Sequence, residues 1–336
     1  MTGYDALSQY AYEWERHDVD TKESIRGLCA VDENVIWISG SRGLVAKTTN
    51  GGDTWEVLYV PGASMLDFRD IHAFNQNKAL IMSSGPGFKS KILKTTDGGK
   101  QWEEVHSNTH NEGFFNGMDF WNEQSGIMAG DPIDGYLYIA VTNDGGASWS
   151  KVENYFIPEI EYQEFGFAAS GTHITTFGDS SVWIGTGGKT ARIFFSKDMG
   201  QHWNAYATPI LQGKSSTGIF SVEFKNHLEG LAVGGDYNQV NYGRNNIIAT
   251  SDRGQTWTLV DSHIGFRSCI QFIDGMYITV GPSGANFTYN NGLSWNPIGG
   301  EIGFHTLSAG NSKRAIWAAG SDGKVARLVE ISAGVK

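Results

Sequence analysis

The stretch TTDGGKQW at 95–102 decides the fold. Its pattern, [Ser/Thr]-x-[Asp/Asn]-x-Gly-x-x-Trp, returns as TTNGGDTW (48–55), TNDGGASW (142–149), SKDMGQHW (196–203), TSDRGQTW (250–257) and TYNNGLSW (288–295). Each part has a mechanical reading. Asn50, Asp97, Asp144, Asp198, Asp252 and Asn290 cap backbone N–H groups of a turn, the glycine takes a positive φ, and Trp55, Trp102, Trp149, Trp203, Trp257 and Trp295 fold back over the hairpin. The tryptophans are 47, 47, 54, 54 and 38 residues apart, close to the length of one four-stranded propeller blade.

Strand-like runs precede each motif, as in DFRDIHAF, KALIMSSG and KILKTT before Asp97; the order is strands a, b and c, the motif, then d. The last unit, FHTLSAG, RAIWAAG and KVARLVEI, lacks a motif and a fourth strand, whereas YAYEWERH near the N-terminus reads like an orphan strand d. The expected fold is all-β: one domain over 1–336, a seven-bladed β-propeller of four-stranded antiparallel blades in which residues 10–17 complete the blade of residues 303–331. Trp14 is then the seventh repeat tryptophan, 41 residues before Trp55, and closing the ring removes two exposed sheet edges.

Composition agrees with many short strands joined by tight turns: Gly is high at 44 of 336 residues and aromatics reach 12%. A net charge of −11, with no run of basic residues, argues against a nucleic-acid partner, because nonspecific affinity for phosphate backbones comes from Lys and Arg. No apolar stretch reaches 18 residues, so no membrane insertion is expected. Cys29 and Cys269 fall in blades that do not touch and read as small buried residues.

These repeats resemble the Asp-box (BNR) propellers, and the T-x-DGG-x-x-W variant, with GDPIDG, FAASG and GTGGKTAR, looks most like the photosystem II stability/assembly factor-like family over the whole chain. The resemblance implies a propeller and, for some members, labels such as glycosyl hydrolase. It also implies export to the periplasm or cell surface, although the start MTGYDALSQYAYEWERHD shows no leader. Asp boxes are shared by sialidases, xyloglucanases and sortilin-like receptors, so they identify a fold more strongly than a function.

Other motifs carry little. GTGGKT (185–190) lacks the first glycine of a phosphate-binding loop, Trp183 standing in its place. His106 and His110 have no third ligand beside them, and the DGG turns lack the alternating carboxylates of a calcium loop; no metal and no cofactor are expected. Paired-carboxylate hydrolysis stays open as the alternative, since Asp70, Asp119, Asp131, Asp134, Glu161, Glu164, Glu223 and Asp236 could place two acids around one funnel.

In a propeller the d-to-a and b-to-c loops share one face, and the motif turns occupy the other. The long loops, 59–66, 106–113, 153–164, 207–217, 85–90, 130–136, 185–191 and 235–246, all belong to the first face and carry Tyr136, Tyr155, Phe156, Tyr162, Tyr237 and Tyr242, handles for a protein or glycan partner. Aligning the innermost strands sets Arg26, Arg69, Asn116, Phe220, Arg267 and His305 at one position, with Gly166 or Phe167 in blade four. Side chains alternate with period two, so these should converge on the channel. The candidate ligand-binding residues are therefore Arg26, Arg69, Asn116, Arg267 and His305; the competing reading is a structural plug. The preferred function is a non-catalytic, monomeric binding or assembly-factor-like propeller recognising a protein segment or small anionic ligand, against a glycoside hydrolase or sialidase-like enzyme acting on glycans.

Overall fold

The computed structural model describes residues 11–310 and 315–331. They form a seven-bladed propeller of four-stranded antiparallel blades with almost no helix. Blade one comprises Ile25–Ala30, Ile36–Gly40, Leu44–Thr48 and Glu56–Tyr59. The innermost strands of blades two to seven are Phe68–Ala73, Phe115–Phe120, Ile174–Phe177, Thr217–Phe224, Cys269–Ile273 and Phe304–Ala309. Each packs against its neighbours, and blade seven against blade one, so the ring is closed.

Closure takes the expected form. Tyr12–His17 runs antiparallel to Val325–Glu330, with Trp14 opposite Leu328, and is flanked on its outer side by a short parallel pairing with Gly299–Gly300. Tyr10 lies outside the described residues. Trp14 is buried against Phe304 and Leu328, which ties the first strand to the core of the last blade.

The six motif turns are built alike. In blade two, Thr95 Oγ1 donates to Asp97 Oδ1 and accepts from Gly99 N, while Asp97 Oδ1 accepts from Lys100 N and Gln101 N. Gly99 has φ +87°, a conformation nearly free for glycine and costly for any residue with a Cβ. The same glycine-to-hydroxyl bond, to Ser196 in blade four and to threonine in the others, and the same backbone-to-Asx bond recur in blades one, three, four, five and six. The tryptophans differ: Trp102, Trp203 and Trp257 donate Nε1 to the motif glycine carbonyl, whereas Trp55, Trp149 and Trp295 leave Nε1 without a partner.

Between blades, packing is apolar and aromatic. Trp183 stacks on Phe224 of the next blade at 3.7 Å, and Trp37 is fully buried among the residues of blade two. Carboxylates add cross-blade clamps: the buried Asp70 accepts through Oδ2 from Met118 N of blade three at 2.7 Å, and the half-buried Asp119 through Oδ2 from Thr176 N of blade four at 2.7 Å. Cys29 and Cys269 are free thiols in separate blades.

Candidate functional site

The motif threonine gives a common count into the channel. Thr48 lies opposite Ile36, itself opposite Ala30, and four residues back stands Arg26. The same count gives Arg69, Asn116, Thr172, Phe220 and Ser268 in blades two to six, and Ala309 gives His305 in blade seven. In blades one, two, three, five and seven this residue is the bulged one, and a bulge re-aims its side chain.

Two placements depart from expectation. In blade six Ser268, not Arg267, holds the channel position. A shift of one residue sends a side chain to the opposite face of a strand. Arg267 therefore occupies the position filled elsewhere by Ile25, Phe68, Phe115 and Phe304, and points into the blade. There its Nη2 donates to Asn286 Oδ1 at 2.6 Å, and its Nη1 to Ser283 Oγ and the Phe266 carbonyl. Burial pulls its pKa down to about 10. In blade four the position is Thr172 rather than Gly166 or Phe167, because residues 165–171 leave the blade and cross the channel.

That crossing segment plugs the propeller. Glu164–Phe165 pairs with Gly187–Gly188, and Gly187 pairs with Gly218 of blade five. Gly166 N donates to Asp131 Oδ1, Ser170 Oγ to the Ser268 carbonyl, Arg69 Nη1 to the Ala168 carbonyl and Arg26 Nη1 to the Ala169 carbonyl. Phe167 stacks on Phe220 at 3.8 Å, and Phe220 meets Phe266 edge-on at 4.7 Å. The plug is thus held by side chains of blades one, two, three and five and by a backbone carbonyl of blade six. It divides the channel into two cavities.

The cavity on the long-loop face, a funnel of about 510 Å³, is lined by Arg26, Arg69 and His305 on one side and by Phe167, Phe220, Phe266 and Tyr237 on the other. Arg69 Nε is paired with Asp67 at 2.7 Å. Arg26 has no ion pair among the described residues; burial, and then the neighbouring Arg69 charge, lower its pKa. His305 donates or accepts at Ser321 Oγ, and burial followed by the two arginines pushes its pKa down to about 3, so its ring is neutral. Asn116 stands behind this wall, donating to Asp131 Oδ1 at 2.8 Å; burial raises the Asp131 pKa to about 6 despite that bond.

The opposite cavity, about 430 Å³, is lined by Asp70, Asp119, Glu123 and Glu223 together with His72. Both oxygens of Asp70 accept backbone N–H groups, from Ile71 and Met118, yet burial raises its pKa to about 7. The acids aligned by sequence are therefore dispersed over the molecule. Asp70, Asp119 and Glu223 face the motif side and Asp131 the funnel, while Glu164 is buried in a bond to Arg192 at 2.7 Å. Glu161 is 4.0 Å from Arg192 at the surface and Asp236 is 3.2 Å from Lys214; Asp134 occupies a turn at φ +54°.

The aromatic handles also separate. Tyr237 borders the funnel, whereas Phe156 packs edge-on against His202 of the blade-four motif turn and accepts from Trp203 N. With the adjacent Tyr155 it lies on the outer flank of blade four, because only Ser150–Lys151 pair as the outer strand of blade three and the chain leaves the sheet before reaching the long-loop face. Tyr136 is bonded to Glu159. His106 is stacked on Phe115 and bonded to Tyr138, and among the described residues no group of three His, Cys, Asp or Glu could hold a metal ion. No helix among them is long and apolar enough to cross a membrane.

No protein-family model and no curated protein matches the chain. Solved structures do. The chain superimposes on "YCF48 bound to D1 peptide" with a TM-score of 0.68 at 17% identity, covering 98% of this chain and 100% of that one. YCF48 from Cyanidioschyzon merolae gives 0.64 at 16%, over 94% and 98%. The WD40 β-propeller domain of Doa1 gives 0.66 at 11%, over 96% and 98%. At these identities the likeness establishes the seven-bladed fold, which the chain shares end to end with propellers of different sequence.

Proposed function

We propose that the chain is a non-catalytic binding propeller whose long-loop face recognises a segment of a partner protein, in the manner of an assembly factor. The observation that carries this reading is the funnel: a preformed concave site with two guanidinium groups on one side and an aromatic wall on the other, the pattern of an anchoring pocket. Its floor is tied down by hydrogen bonds from several blades, so little ordering entropy is lost on binding. The structural likeness to a YCF48 that carries a D1 peptide adds support, since that propeller takes a peptide ligand.

Hydrolysis of glycans is the weaker reading. It needs two carboxylates facing each other across the substrate, and among the described residues Asp131 is the one acid lining the funnel, tied to Asn116 and Gly166. In the opposite cavity Asp70 and Asp119 are occupied as backbone clamps.

The test is photo-crosslinking in the native cell extract, with a benzoylphenylalanine placed at Tyr237 beside the funnel or at Leu293 on the motif face. The proposal expects a discrete partner adduct from position 237 and none from 293. Adducts from 293 alone would move the binding surface to the other face.

A further inference from the structure

The funnel's charge and shape specify its ligand more closely, and this step rests on the funnel being the binding site. Arg26 and Arg69 come from adjacent blades and are spaced by consecutive plug carbonyls, those of Ala169 and Ala168. Only Arg69 has a carboxylate, Asp67. Asp131, the other acid at the funnel, is bonded to Asn116 and Gly166 rather than to an arginine, so the Arg26 guanidinium has no carboxylate paired with it among the described residues. Like charges held together under burial are costly unless an anion compensates them, and guanidinium groups offer paired N–H donors matched to a carboxylate. A carboxylate carried on an apolar group engages the arginines and the aromatic lining together, whereas inorganic phosphate engages the arginines alone. Opposite the arginines, Phe167, Phe220 and Phe266 form an apolar wall whose faces bury a flat or bulky side chain but offer no hydrogen bonds.

We propose that the funnel binds a carboxylate carried next to an aromatic or large aliphatic side chain, the carboxylate between Arg26 and Arg69 and the side chain against Phe167, Phe220 and Phe266. That chemistry is found in the C-terminal residue of a peptide and in a free N-acyl amino acid. A volume of about 510 Å³ holds one such group with room for the preceding backbone.

Calorimetric titration of the full chain tests this. The probes are N-acetyl-L-phenylalanine, its C-terminal amide, N-acetylglycine and inorganic phosphate, with two hexapeptides ending in phenylalanine as free acid or amide. N-acetyl-L-phenylalanine is expected to bind at least about tenfold more tightly than its amide and than N-acetylglycine, and phosphate should not displace it. Arg26→Gln should weaken its binding by at least about tenfold while the variant still folds, with only the modest loss of melting temperature that follows from its bond to the plug; the ligand series decides the matter even where that variant does not fold. A free-acid hexapeptide binding more tightly than N-acetyl-L-phenylalanine would identify a peptide terminus as the source, and equal affinity a small acid. Equal binding of acid and amide, displacement by phosphate, or no binding by any probe overturns the proposal. Crosslinking from position 237 to an internal partner segment, with no binding of these acids, would overturn this ligand class while sparing recognition of a protein.

Discussion

The Arg26 guanidinium of blade one donates to the carbonyl of Ala169 in the plug, 143 residues further along the chain, at 3.3 Å. One residue earlier, Ala168 accepts from Arg69. These bonds make the arginines both the wall of a site and the clasp of the plug beneath it. The clasp does not preclude the proposed binding, since Arg26 Nη1 satisfies a plug carbonyl and the other N–H groups of Arg26 make no further hydrogen bond among the described residues.

The plug's turn depends on Gly171. Its φ is +76°, and a Cβ there would collide with the Asp70 carboxylate. Gly171→Ala should lower the unfolding free energy by about 1–3 kcal/mol, combining left-handed strain with displacement of a buried acid. Urea denaturation measures this, and an unchanged midpoint would show the plug to be loosely held.

Loss of the closing strand should be severe. Removing residues 1–18 strips Trp14 from the blade-seven core and bares the edge of Val325–Glu330. Trp14→Ala alone should cost about 3–5 kcal/mol. A truncated protein melting like the full chain would contradict the closure.

The motif turns should act on stability alone. Trp203 is buried and donates to Gly200 at 2.8 Å, so Trp203→Phe should destabilise more than Trp149→Phe, whose indole N–H has no partner; the lost bond is worth about 1 kcal/mol. Asp97→Ala should remove its cap and lower the melting temperature. Thermal melts of the three variants check the order, and equal effects of the two tryptophan changes would refute it.

Asp70 gives a pH signature. Its folded pKa of about 7 lies above the ordinary 3.8 through burial. Below the ordinary value both states are protonated and the group costs nothing. As pH rises from about 4 to 7 the unfolded chain releases its proton first, so stability falls, and the full penalty stands above 7. The melting temperature of Asp70→Asn should therefore gain on that of the native chain between pH 5 and pH 8. A constant difference would mean that Asp70 is not held protonated.

Much of this was legible in sequence. The ring and its closure follow from the spacing of the six motifs and from the leftover strand around Trp14, because a staple residue in every blade fixes the period. The channel residues of blades one, two, three, five and seven were legible too, each followed two positions on by an apolar residue: Leu28, Ile71, Met118, Val222 or Leu307. That rule does not decide blade six, because both Ser268, followed by Ile270, and Arg267, followed by Cys269, meet it; the arginine repeat favoured Arg267. Blade four was not legible. The FGFAAS stretch looks like an inner strand, and only the bonds donated to it by Arg26 and Arg69 and the one it donates to the Ser268 carbonyl reveal that it crosses the channel. The move of Tyr155 and Phe156 to the flank was equally hidden, since it follows from where the outer strand of blade three stops pairing.

The central claim is that the funnel recognises a partner segment, and the equilibrium affinity of the crosslinked segment, made as a peptide, tests it most directly. Arg26→Gln should weaken binding by at least about tenfold in a variant that still folds, while Trp257→Phe on the motif face should lower stability and leave affinity unaltered. Equal affinity of the native chain and Arg26→Gln for that peptide would contradict it.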